Sequence, residues 1–205
     1  ISNVPVDSSF ALSLTGKIVI VTAGGTQENI DPVRYIGNRS SGKMGYAIAE
    51  QAVRAGAHVI LVGAPTNLKV PDGVDFVLVD SARSMQQAVD SRFDSADAVV
   101  MAAAVADFRV VNMANQKIKK METMTLELVK NPDILYGLGQ KKSHQVLIGF
   151  AAETERVVEY GMGKVHKKNL DMLVANDVSK STAGFNVDTN EGYFLFPNQD
   201  AKEIP

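Results

Sequence analysis

The sequence predicts an α/β protein built on a doubly wound, mostly parallel sheet with helices on both faces. Three observations predict it. Short runs that are apolar at every position recur along the chain, as in strands buried on both sides. Segments with helical spacing lie between them. Gly-rich and Ala-rich stretches follow the first and fourth runs, where a chain leaving a sheet must turn.

The elements follow in order. Residues 18–21 (IVIV) are a first strand, followed at once by Ala23, Gly24, Gly25 and Thr26. Met44, Ala47, Ile48 and Ala52 recur at helical spacing, and Gly56 is placed to close that helix. Residues 59–62 and 76–79 are the second and third strands, with a helix over 82–90. Residues 98–101 (AVVM) are the fourth strand. Asn131-Pro132 predicts a helix start, an N-cap residue with proline in the first turn. Residues 146–150 and 172–175 are the fifth and sixth strands, with a helix from about 153 to 169 between them. Residues 192–196 predict a later edge strand. Residues 1–15 mix Ser, Pro and Val without a period and are expected to be an arm or linker. Residues 16–205 are expected to form a single domain, without internal repeat. Ile1 in place of Met, and a strand-like end at Pro205, lead us to expect a piece of a longer chain.

Composition removes several classes. The 205 residues are 45% hydrophobic and 21% charged, which excludes disordered, collagenous and coiled-coil chains. No apolar run is long enough to span a bilayer, so no membrane is expected, and no signal peptide opens the chain. Cysteine is absent, so there is no disulfide framework, thiolate nucleophile or zinc–cysteine site. The net charge of −2 argues against a general nucleic-acid binder. These features fit a cytoplasmic protein. His58, His144 and His166 show no metal-ligand spacing, and His58 is expected beside a buried strand. G-x-S-x-G is absent, and the eight methionines read as core.

In such folds ligands sit beyond the carboxyl ends of the strands. Glycines after a first strand can bring backbone N–H groups to a phosphate, but the dinucleotide fingerprint needs G-x-G-x-x-G leading straight into a helix. Here Gly24 and Gly25 are adjacent and the helix begins only near Ser41. Residues 37–44 (GNRSSGKM) approach the P-loop, yet Met44 stands where Ser or Thr would ligate Mg²⁺. What remains is a helix opening at Ser40, Ser41, Gly42 and Lys43, with Arg34, Asn38 and Arg39 nearby. The crowding of Arg34, Asn38, Arg39 and Lys43 there favours a phosphorylated substrate, with an ordinary Ser N-cap as the alternative. After the fourth strand, Ala103 to Ala106 allow a ligand to lie flat on the backbone. Asp107 either accepts hydroxyl hydrogen bonds, as from a ribose, or caps the next turn. Lys117, Lys119 and Lys120 crowd a loop. Lys164 and Lys168 share a helix face, where their repulsion is relieved if a polyphosphate lies between them. For both groups a solvated surface is the alternative.

Together TAGGTQENIDPVRYIGNRSSGKMG (22–45), MAAAVADF (101–108), KIKK (117–120), LVKNPDIL (128–135), IGFAAET (148–154) and KKNLDMLVANDV (167–178) resemble the phosphopantothenoylcysteine synthetases of bacterial coenzyme A biosynthesis. The resemblance implies a Rossmann-like ligase domain. The carboxylate of 4′-phosphopantothenate would attack the α-phosphate of CTP and expel pyrophosphate. Cysteine's amine would then displace CMP from the acyl-cytidylate. It implies Lys117 at the α-phosphate and Asn38 on the phosphopantothenate part, helping the second step. Arg34, Ala103 and Ala104 would lie beside the same substrate. Met101, Ala102, Ala103 and Asp107 would take the nucleotide, with Asp107 on its ribose. Pro132, Asp133, Ile134, Leu135 and Phe150 would frame the cytosine, and Lys164 and Lys168 would grip the triphosphate. Mg²⁺ is implied with CTP, without a named protein ligand, and no flavin is implied in this domain. The family is dimeric, so a homodimer is expected. The activity is often the carboxyl-terminal half of a bifunctional protein behind a flavin-dependent decarboxylase, which makes such a fusion partner an expectation too. The chain departs from the family pattern in a short flap, METMT between Lys120 and Leu126, and in ending before the usual carboxyl-terminal helix. A nicotinamide-dependent redox enzyme and a non-catalytic phospholigand-binding module are the competing readings.

Overall fold

The structure is a computed structural model that describes residues 13–177 and 191–204. The expected arm lies outside them as far as residue 12, and so does Val178, the last residue of the sixth resembling stretch.

The strands form where apolar runs can be covered on both sides. β1 (Ile18–Ala23) is buried at all but its first residue. It is followed by a small hairpin of β2 (Gln27–Asn29) and β3 (Tyr35–Gly37), helix α1 (Lys43–Arg54), and strands β4 (His58–Gly63) and β5 (Val74–Leu78). Helix α2 (Ala82–Asp90) leads to β6 (Ala98–Met101). A second small ribbon of β7 (Phe108–Val110) and β8 (Leu128–Lys130) precedes α3 (Ile134–Lys141) and β9 (Val146–Glu153). Helix α4 (Val157–Lys167), β10 (Met172–Asp177), β11 (Gly192–Leu195) and β12 (Lys202–Glu203) complete the described chain.

The main sheet runs β12-β11-β10-β9-β6-β1-β4-β5. β5 to β10 pair in parallel, while β11 and β12 join antiparallel. The chain moves outward from β1 to β5, then returns to place β6 on the other side of β1. The strand order therefore reverses between β1 and β6, which opens a crevice at their carboxyl ends. Period-two alternation sends successive β1 side chains to opposite faces. Val19 and Val21 pack under α1 with Tyr46, Ala49, Val59 and Leu61. Ile20 belongs to the larger core with Met85 of α2, Leu138 of α3 and Val165 of α4. Truncating a fully buried leucine of that core such as Leu147 to alanine costs about 2–5 kcal/mol. The expected doubly wound sheet with helices on both faces is what forms.

Several expectations need correction. On α1 the inward residues are Gly45, Tyr46, Ala49 and Ala52, while Met44 is 41% exposed and Ala47 points outward. The reason is steric: a Cβ at position 45 would lie 2.6 Å from the Ala23 Cβ, so only the small side of the helix can approach β1. The N-cap is Gly42 in the left-handed region, without a side-chain cap bond, rather than a serine. Gly56 does end the helix, with its N–H on the Val53 carbonyl and that of Ala57 on Ala52. The cap of α3 is Asp133, whose carboxylate accepts the Tyr136 N–H, rather than Asn131. α4 starts at Val157, later than expected, because β9 runs on to Glu153. β11 is not an edge, since β12 lies outside it. His58 is itself the first, exposed residue of β4, with its Nε2 3.2 Å from Asp75 Oδ2.

The amino-terminal ends of the strands share a device. Asp97, just before β6, accepts the Ile18 N–H at 2.8 Å and returns its own N–H to the Ile18 carbonyl. Asp171, just before β10, does the same with Leu147, accepting at 2.7 Å. Each carboxylate also holds a lysine, Lys17 and Lys142 respectively.

Candidate active site

The carboxyl ends of β1 and β6 are joined by chain segments that only small residues permit. Gly24 has φ +82°, and a Cβ on Gly25 would sit 2.6 Å from the Asn38 carbonyl oxygen. The pair thus lets the strand end, the Asn38 segment and the loop after β6 meet. The Gly24 carbonyl accepts the Ala104 N–H, and the Thr26 N–H donates to the Ala104 carbonyl. Two buried threonines reach the same loop: Thr22 Oγ1 accepts from Ala103 N at 3.1 Å and Thr26 Oγ1 from Ala106 N at 2.9 Å. Asn38 Nδ2 donates to the Val105 carbonyl at 3.0 Å. From the other side, buried Asn131 donates Nδ2 to the Ala106 carbonyl at 2.9 Å and its N–H to that of Asp107 at 2.7 Å. Arg109 closes the set by donating to Asn131 Oδ1.

This loop floors a cavity of about 250 Å³. Its walls are Met101, Ala103, Val105, Ala106, Asp107, Lys130, Asn131, Pro132, Asp133, Ile134, Leu135, Phe150 and Lys168. The volume lies just below the usual range for small-molecule pockets, so the cavity can enclose only part of a large ligand. Asp107 is exposed at the rim. Lys168 caps α4 and ion-pairs with Asp133 at 2.9 Å. Burial pushes the Asp133 carboxyl up, but the Lys168 ammonium and the Tyr136 N–H outweigh it and hold the group below its ordinary value.

The structure thus brings Met101, Ala103, Asp107, Pro132, Asp133, Ile134, Leu135, Phe150 and Lys168 into one cavity. Ala104 lies in its floor loop without facing the cavity, tied to Gly24, and Ala102 precedes it with its N–H on the Val100 carbonyl. Lys164 lies outside the lining and ion-pairs with Glu153. The expected repulsion between Lys164 and Lys168 is therefore corrected: each ammonium already has its own carboxylate. Lys117 is exposed on the irregular chain between β7 and β8. Arg34, expected beside the substrate, is partly exposed and bonds Asp31 Oδ2 through its Nε and Nη2 at 3.0 and 2.5 Å. The Arg34 guanidinium holds the Asp31 carboxyl far below the ordinary carboxylate range, against the opposing effect of burial. Lys130 and Asn131 also line the cavity, without having been assigned a ligand role, and Val105 and Ala106 line it as part of the small-residue run expected to let a ligand lie flat. The local signal at Asn131-Pro132 is that of a helix start. Among the described residues no three His, Asp or Glu side chains gather as a metal site, and no helix is long and apolar enough to cross a membrane.

A parallel sheet with helices on both faces and a cavity beyond the carboxyl ends of β6 and β9, next to the reversal of strand order, defines a doubly wound, Rossmann-like α/β domain. Residues 14–205 match the family described as the DNA/pantothenate metabolism flavoprotein C-terminal domain, and the chain belongs to that family. A coenzyme A biosynthesis bifunctional protein CoaBC of Bacillus subtilis (strain 168) is 49% identical over 194 residues, 94% of this chain and 48% of that protein. Its counterpart from Escherichia coli (strain K12) is 46% identical over 192 residues, 91% of this chain and 47% of that protein. The chain therefore spans about half the length of the curated relatives it matches. The crystal structure of the C-terminal domain of a CoaBC protein superposes with a TM-score of 0.81 at 44% identity, covering 95% of this chain and 89% of that one. A Cab2 structure at 19% identity shares the fold, with a TM-score of 0.68 over 92% of this chain and 80% of that one.

Proposed function

We propose that this domain is a phosphopantothenate–cysteine ligase of coenzyme A biosynthesis that uses CTP. The observation that carries the reading is the cavity at the carboxyl ends of β6 and β9, lined by most of the residues that the family resemblance assigns to a nucleotide, though not by Ala102, Lys117 or Lys164. CoaBC relatives at 46–49% identity support the same class. In this reading Ile134, Leu135 and Phe150 frame the base, and the Asp107 carboxylate accepts from the ribose. Lys168 and Lys164 turn from Asp133 and Glu153 toward the phosphates. The phosphopantothenate carboxylate attacks the α-phosphorus, the bond to the bridging oxygen breaks, and pyrophosphate leaves. A carboxylate acylates poorly until its oxygen becomes part of a good leaving group. The protein's task is accordingly positioning and charge neutralisation, supplied by Lys117 at the α-phosphate. The cysteine amine then attacks the acyl carbon near Asn38, and CMP departs. Mg²⁺ enters as part of the Mg–CTP substrate.

The test is pyrophosphate release with CTP, phosphopantothenate and cysteine, in competition with ATP. Release that needs all three, with CTP preferred, is expected. No release with any nucleotide would end the reading. We further propose a cytoplasmic homodimer joined through the exposed Val33, Tyr35 and Met44, in a longer protein that carries the flavin-dependent decarboxylase. Sedimentation of a Tyr35→Glu variant as a monomer is the expected outcome, and an unchanged mass would refute that contact.

A further inference from the structure

The role of Lys117 in the ligase reading raises a question of placement. An ammonium on a flexible four-carbon stem acts at a defined phosphorus only if its backbone is fixed. Lys117 is exposed on chain without regular structure. What fixes that chain is one buried carboxylate on the β2–β3 hairpin. Asp31 is fully buried. Its Oδ1 accepts the N–H groups of Val33 and Arg34, both at 2.9 Å, which makes the turn at Pro32. Its Oδ2 does something the turn does not need: it accepts the N–H of Ile118, 87 residues away, at 3.1 Å. Arg34 Nη2 completes the hold by donating to the Ile118 carbonyl at 3.0 Å. Both backbone groups of the residue next to Lys117 are thus taken by the Asp31–Arg34 pair. Ala114 N–H on the Ile30 carbonyl is a second mooring to the same hairpin. The hairpin then leads through β3 to Asn38, which is bonded to Val105 at the cavity.

We infer that Asp31 is a positioning residue for Lys117, holding the Lys117 loop to the hairpin so that the ammonium and the Asn38 amide are presented to one substrate. The inference rests on the ligase reading for the role of Lys117. The mooring itself does not depend on that reading.

The experiment compares Asp31→Asn, Lys117→Gln and the double variant in the full-length protein, with thermal melting as the check on folding. Asp31→Asn is expected to lower kcat for pyrophosphate release about a hundredfold, the scale of a 1 Å misplacement. The KM for CTP should stay within about threefold, because the cavity floor is tied independently. In the Lys117→Gln background Asp31→Asn should cost nothing more. It should also speed trypsin cleavage after Lys117, Lys119 and Lys120. An unchanged kcat, or losses that multiply in the double variant as independent sites do, would overturn the inference. Should Asp31→Asn unfold the protein, Ile118→Pro removes the donor to Oδ2 and the isoleucine side chain, and an Ile118→Ala control removes the side chain but keeps the N–H. Because proline also restricts the Lys117 backbone, the trypsin rate is read beside kcat. The same kcat loss is then expected of Ile118→Pro and not of Ile118→Ala, and wild-type kcat in the proline variant refutes the proposal. If the wild-type protein releases no pyrophosphate, the ligase reading fails. The mooring is then judged by the trypsin rate alone, and an unchanged rate refutes it.

Discussion

In the proposed ligase reading, Lys117 and Asn38 carry the chemistry at the level of single side chains. Lys117→Gln keeps the length of the stem and removes the charge. The fold should stay intact by thermal melting, and acyl-cytidylate formation should fall by at least about 10²–10³-fold, as when one preorganised donor is lost. Normal turnover would refute the role. Asn38→Asp replaces the Nδ2 donor to the Val105 carbonyl with an acceptor. It should slow the cysteine step more than the first step, so that acyl-cytidylate accumulates in mass spectra. An intermediate that never accumulates counts against that split. Residue types announced much of this site. Small residues after β6, an acid at Asp107 and the lysine-rich stretches are local signals of ligand chemistry, whereas Asp31 and Asn131 are not. Their work is done through bonds to Ile118 and Ala106, distant in sequence, and no spacing rule reports a contact of that kind.

Helices and strands were legible where the apolar period was strong. The boundaries of α2 and β6 agree with expectation because their ends coincide with turn and cap residues. α1 was misread because a helix that approaches a strand closely turns its smallest side inward, and hydrophobic spacing points to its largest. The two small ribbons, β2–β3 and β7–β8, left almost no pattern, since three-residue strands are too short for one. Close approach also governs α3 against α4. A Cβ on Gly139 would stand 1.9 Å from the Lys168 carbonyl oxygen. Gly139→Ala should therefore push the end of α4 away, at a cost of about 1–3 kcal/mol in denaturant unfolding. It should also raise the KM for CTP, because Lys168 moves with that end. An alanine variant as stable as the parent would show that the helices separate freely.

Across the whole molecule the two ends of the sheet do different work. The carboxyl ends hold the cavity, and the amino ends are stapled by Asp97 and Asp171. Asp171→Ala orphans the Leu147 N–H and should cost about 1–3 kcal/mol of stability while leaving KM for CTP unchanged. A shifted KM would mean that the ends communicate. Acid should act through the same kind of group. Asp31, Asp80, Asp97 and Asp133 all have carboxyls held below the ordinary value. Their contribution is complete above the unfolded value near pH 4 and is lost as pH falls below it. Melting temperature should be flat in this respect from neutral pH to about 5, then fall steeply, and less steeply in Asp97→Asn. Equal slopes for the two proteins would exclude that contribution.

The cavity floor is tied by hydrogen bonds among threonine, asparagine and backbone groups, whereas Lys164 and Lys168, two of the three lysines proposed for the phosphates, sit in ion pairs. Ionic strength reaches the second kind of contact and barely touches the first, since the Debye length is already about 10 Å at 0.1 M. A nucleoside and its triphosphate should consequently part company in a salt series. Calorimetric affinity for cytidine should hold nearly level while that for CTP drops, so added electrolyte dissects the ligand into the half gripped by shape and the half gripped by charge.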